Sequence, residues 1–97
     1  MRLTSHQSKL ICHAAREAFG EGTKVTLFGS RVNDEKRGGD IDLLVLPAKN
    51  DGLIARKIHM LTLLEQGLGE RKVDIVIEHA DDTRPIVRIA RQTGVAL

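Results

Sequence analysis

The chain has 97 residues, 41% of them apolar, and a formal net charge of only +2. That size suits one domain over residues 1–97, and the apolar share excludes a disordered chain. No apolar run approaches the roughly 18 residues of a membrane helix. The near-neutral balance and the absence of Tyr and Trp exclude an extended nucleic-acid surface.

Periodicity then sets the elements in chain order. Leu10, Ile11, Ala14, Ala15, Ala18 and Phe19 recur at helical spacing and predict a helix over 4–19, capped by Thr4 or Ser5 and ended by Gly20. Residues 24–28 read as a short strand. A polar turn covers 31–39, and a second strand covers 40–46, stopped by Pro47. A helix from Asp51 or Gly52 to Leu68 is expected to bury Ile54, Ile58, Leu61, Leu64 and Leu68, with Gly67 and Gly69 marking its exit. A third strand covers 72–77. The stretch from Glu78 to Asp82 reads as an exposed turn, with Asp81 or Asp82 capping a last helix over 84–92 that has Pro85 in its first turn. Residues 95–97 read as a short tail. The lone Cys12 permits no internal disulfide and fits a cytoplasmic setting.

The strand phases agree with one another. Val25 and Leu27, then Ile41, Leu43 and Val45, then Val73, Ile75 and Ile77 form one apolar face. Lys24, Thr26, Asp40, Asp42, Lys72 and Asp74 lie on the other, with Leu44, Leu46 and Val76 further along. Asp40 and Asp42 point the same way, about 6.6 Å apart along the strand. Carboxylates at that spacing suit a phosphoryl-transfer site, whose two metal ions sit about 3.5–4 Å apart.

The sequence Gly29-Ser30, a variable turn, Asp40-Ile41-Asp42 and a later strand carrying Asp74 resembles the polymerase-β-type nucleotidyltransferases. The small size resembles their minimal members, many of which accompany a helical HEPN-type protein in toxin–antitoxin pairs. The resemblance spans roughly residues 25–77. It implies an α/β (α+β) fold, a small mixed β-sheet with helices on one face. For Ser30 to meet Asp40, the first two strands must be antiparallel. For Asp74 to join Asp40 and Asp42, the third must run parallel to the second.

The implied activity is Mg²⁺-dependent transfer of NMP, as AMP from ATP, to a hydroxyl. Asp40, Asp42 and Asp74 would be the catalytic carboxylates and would hold two Mg²⁺ ions. Asp74 would also assist deprotonation of the attacking hydroxyl. Gly29, Ser30, Arg31 and Lys72 are the nucleotide-binding candidates, Ser30 also reading as a plain helix cap and Arg31 as a solvated side chain. The resemblance suggests a tyrosine on a HEPN-type partner as acceptor, and this chain contains no tyrosine. Without the extra helical domain of larger relatives, the chain would borrow substrate surface from another protein or from a second copy in a homodimer. Two alternatives stay open: a non-catalytic antitoxin acting by contact, and transfer to a small molecule or an RNA end.

Overall fold

The computed structural model describes residues 3–29, 41–69 and 71–97. The elements are α1 (Ser5–Phe19), β1 (Lys24–Phe28), β2 (Ile41–Leu46), α2 (Leu53–Leu68), β3 (Val73–Ile77), α3 (Pro85–Thr93) and β4 (Val95–Ala96). The strands form one mixed sheet in the order β3-β2-β1-β4. β1 is antiparallel to β2, and β2 is parallel to β3, with α2 as the crossover. This is the expected α+β arrangement. The tail expected after α3 instead forms the edge strand β4, pairing Val95 with Leu27 and Ala96 with Thr26. Two or three residues are too few for an alternating pattern to announce a strand.

Helix α1 starts on a capping box. Gln7 N donates to the Thr4 hydroxyl, and Thr4 N donates to Gln7 Oε1. Its far end is tied to α2 by Arg56, whose Nη1 donates to Ala18 O and whose Nε donates to Asp51 O. One cation thus satisfies a terminal carbonyl of α1 while fixing the first turn of α2.

Both helices cover the apolar face read from the strand phases. Ile11, Ala15 and Phe19 meet Leu27, Leu43, Val45 and Ile75 there, together with Met60 and Leu64 of α2. The buried stripe of α2 matches the expected one at Leu61, Leu64 and Leu68 and departs from it in the first half of the helix. Leu53, Met60 and Leu64 face inward, whereas Ile54 and Ile58 are exposed. The first half of the helix carries two adjacent apolar stripes, and contact with α1 selects between them. That contact is close. Gly67, expected at the helix exit, lies inside α2 with its Cα hydrogens against Leu10, whose Cγ would stand 3.1 Å from a Cβ.

The third helix departs from the expectation of helices on one face. Val87 and Ala90 of α3 pack with Phe28, Leu44 and Val76, on the side of the sheet opposite α1 and α2. The apolar positions far along the polar strand face are therefore α3's seat. Two ionic contacts anchor it. Glu78 directly follows β3, is almost fully buried, and pairs with Arg91. Arg84 Nη2 donates to Ile77 O (2.6 Å) and pairs with Asp82 (2.7 Å). The expected exposed turn thus contains a buried acid, because Arg91 supplies the counter-charge from α3. Asp82 does not cap the helix. Arg84 is the N-cap residue and makes no side-chain cap bond, while Asp82 closes the preceding turn by accepting from His79 N and Arg84 N.

The Arg84 hydrogen bonds hold the Asp82 carboxyl well below its ordinary value of about 3.8, with the backbone donors adding to them. A carboxyl whose folded value is depressed stabilises the fold above its unfolded value, and loses that contribution as pH falls through the folded one. Asp82→Asn should therefore lower the melting temperature at neutral pH. The gap from wild type should narrow as pH falls below about 3.8, measured by thermal melts across a pH series.

Candidate active site

The parallel pairing of β2 with β3 sets Asp42 directly beside Asp74. Neighbouring strands lie about 4.8 Å apart, and paired residues present their side chains to the same face. Across β1 the partner of Asp42 is Phe28. The three residues form a row on the α3 side of the sheet, in which α3 covers Phe28 while Asp74 is exposed. Phe28 and Leu44 belong to α3's apolar seat, and Asp42 lies two residues before Leu44 on the same face. Asp42 is half-buried, and Asp74 is exposed on the edge strand.

Gly29 follows β1 and faces this row. Its φ of +75° is in the left-handed region, and a Cβ there would run into the Asp42 carboxylate, only 3.2 Å from its Cγ. The glycine therefore has a structural role besides the expected one. It lets the Asp42 side chain lie against the turn, which positions that carboxylate.

Two carboxylates opposed on neighbouring strands repel each other. A hard divalent cation with oxygen ligands relieves that repulsion, and the donor set suits one. Among the described residues there is no group of three or more His, Cys, Asp and Glu side chains placed to hold a metal. The third expected ligand, Asp40, lies outside the described residues, as do Ser30 and Arg31. The structure thus brings together Gly29, Asp42 and Asp74 from the expected set.

Lys72 is exposed, and its carbonyl accepts from Ile41 N (2.9 Å), which holds it in register two residues before Asp74. With Leu61, Glu65, Arg71 and Val73 it lines an open cleft of about 440 Å³ between α2 and the edge of β3. Leu61 and Val73 pack against the α1–α2 core, so this cleft opens on the side away from the carboxylate row. We take the row, rather than the cleft, as the centre of the site, because the row carries the carboxylates. Lys72 stands between the two.

The family described as Polymerase beta, Nucleotidyltransferase has a model that matches residues 15–97. The chain belongs to this nucleotidyltransferase family. Its general chemistry is transfer of a nucleotidyl group from a nucleoside triphosphate, work for which a carboxylate pair at a strand end is suited. No curated protein matches the chain. Sequence reasoning missed Phe28 as the third member of the row. Its signal was its phase, shared with Thr26 on the polar face.

Two outcomes test this geometry. Asp42→Asn removes a negative oxygen from the row. Divalent-metal-dependent transfer should fall by at least about 100-fold, with the variant still folded by circular dichroism. Gly29→Ala forces a left-handed alanine and displaces the Asp42 carboxylate. It should cost about 1–2 kcal/mol of stability and lower activity together, read from denaturant unfolding and turnover on one preparation.

Proposed function

We propose that this nucleotidyltransferase moves AMP from ATP, with Mg²⁺, onto a hydroxyl of a separate protein, and that the acceptor is a HEPN-type helical toxin which the transfer neutralises. The observation that carries transfer is the register pair Asp42–Asp74, with Gly29 packed against Asp42. The observation favouring a large acceptor is that Asp74 is exposed on an edge strand, where another protein can approach. The family resemblance seen in the sequence supports the toxin and its tyrosine.

Asp42 and Asp74 are the described residues that would hold Mg²⁺, with Asp40 as the expected third ligand. The ion, when bound, neutralises charge on the triphosphate and its leaving group. The chain's own work is placement. Asp42, held by the Gly29 turn, fixes the donor end of the site. Asp74 accepts the hydroxyl proton on a carboxylate oxygen as the acceptor oxygen attacks the α-phosphorus. The bond from that phosphorus to the bridging oxygen of the β-phosphate breaks, and pyrophosphate leaves with the electron pair. Lys72 offers a positive charge nearby for phosphate oxygens.

Asp74→Asn decides between this reading and neutralisation by contact. The variant should bind ATP and the partner yet leave the partner unmodified and toxic. Intact-mass spectrometry of the partner, with a growth assay, checks both. Full neutralisation by Asp74→Asn with no AMP mass increment would put a contact-only antitoxin in place of the enzyme.

A further inference from the structure

Helix α3 has two unlike flanks. Arg84, Arg88 and Arg91 recur at helical spacing on one of them. That flank is oriented by its contacts, since Arg84 reaches Ile77 O and Arg91 reaches Glu78, both at the C-terminal end of β3. Ile86, Ile89 and Thr93, spaced by three and four, make the opposite flank. It must face the other end of the parallel strands. Asp74 lies there, four residues and about 13 Å from Glu78, with Asp42 beside it. Ile86 is 44% exposed and Ile89 55% exposed. Two bare isoleucines therefore overlook the carboxylate row.

Among the described residues, the other exposed large apolar side chains lie elsewhere. Ile54 and Ile58 are on α2, behind the sheet, and Leu46 is at the far end of β2. Val95 pairs with Leu27 and so shares the face that α1 and α2 cover. Nor can an aromatic ring serve on the carboxylate face, because both phenylalanines, Phe19 and Phe28, are buried. A planar apolar group brought to the carboxylates has the α3 flank to lie on.

We propose that Ile86 and Ile89 form a ledge that holds the base of the nucleotide donor. The proposal rests on the nucleotidyl-transfer reading and adds a binding surface to it. The ledge grips by apolar contact. The Thr93 hydroxyl on the same flank donates to Ile89 O and so has its proton engaged. Purine identity is then weakly read, because discrimination of base edges needs hydrogen-bonding groups that a wrong base would leave unpaired.

The test is calorimetric binding of ATP, GTP and inorganic triphosphate, each with Mg²⁺, to the full chain and to an Ile86→Ala/Ile89→Ala variant. Alanine suits an exposed helix position, so the variant should keep its melting temperature. Should it fail to fold, Ile89→Ser alone serves the same comparison. Wild type should bind ATP and GTP within about tenfold of each other, and the variant should lose about tenfold or more for both, from the lost apolar contact. Triphosphate binding should not change. Equal losses for ATP and triphosphate, or unchanged ATP affinity with a raised KM for the acceptor, would overturn the ledge as a base site. If the Ile variant is unaffected while Asp42→Asn abolishes metal-dependent transfer, the ledge falls and the transferase reading stands. If wild type binds no nucleotide, both fall.

Discussion

Two carboxylates held side by side at one end of a sheet repel each other, and much of this architecture serves to keep them there. Asp42 and Asp74 come together because β2 and β3 are parallel and in register. A parallel neighbour cannot be reached through a tight turn and requires a crossover. α2 is that crossover, and its position is set by Gly67 against Leu10 and by Arg56 on Ala18 O. The helices behind the sheet therefore act on the site indirectly, by fixing a strand register. The repulsion they hold in place is also what makes the pair suited to a divalent cation.

The opposite side of the sheet is divided along the strands. One part is apolar, through Phe28, Leu44 and Val76, and α3 covers it. Asp42 and Asp74 lie beyond Leu44 and Val76 on the same face, with Asp74 exposed. What keeps α3 from sliding toward them is ionic. The buried Glu78 draws Arg91, and the Asp82 turn holds Arg84 on Ile77 O. A buried carboxylate left without its cation is costly, so the Glu78–Arg91 pair specifies the seat of α3 even where its net contribution to stability is small. The same anchoring turns the isoleucine flank toward Asp42 and Asp74, which connects a packing feature to the proposed ledge.

Gly29 joins the two halves of the site. Its left-handed backbone ends β1, and its missing side chain leaves room for the Asp42 carboxylate. A residue that reads in sequence as a phosphate-approach glycine thus has a prior structural duty toward a neighbouring acid. The two duties are compatible, because a turn that lies close to Asp42 also brings its backbone close to whatever Asp42 binds.

Much of this was legible in the sequence, and the reason is local. The period-2 alternation of β1, β2 and β3 is a property of the extended backbone, so it named the core face and put Asp42 and Asp74 on the other. The Thr4 cap of α1, the Pro start of α3 and the Gly29 motif are likewise short-range chemistry. Tertiary structure decided what short range leaves degenerate. The first half of α2 carries two apolar stripes, and only tertiary contact chose Leu53 and Met60 over Ile54 and Ile58. α3 is amphipathic on either side of a sheet, and only the apolar patch around Leu44, with the charge on Glu78, set it opposite the other helices. Val95 and Ala96 have no pattern of their own, and the open edge of β1 made them a strand. Periodicity states that a face is apolar, whereas the partner that covers it is chosen by competition among distant surfaces.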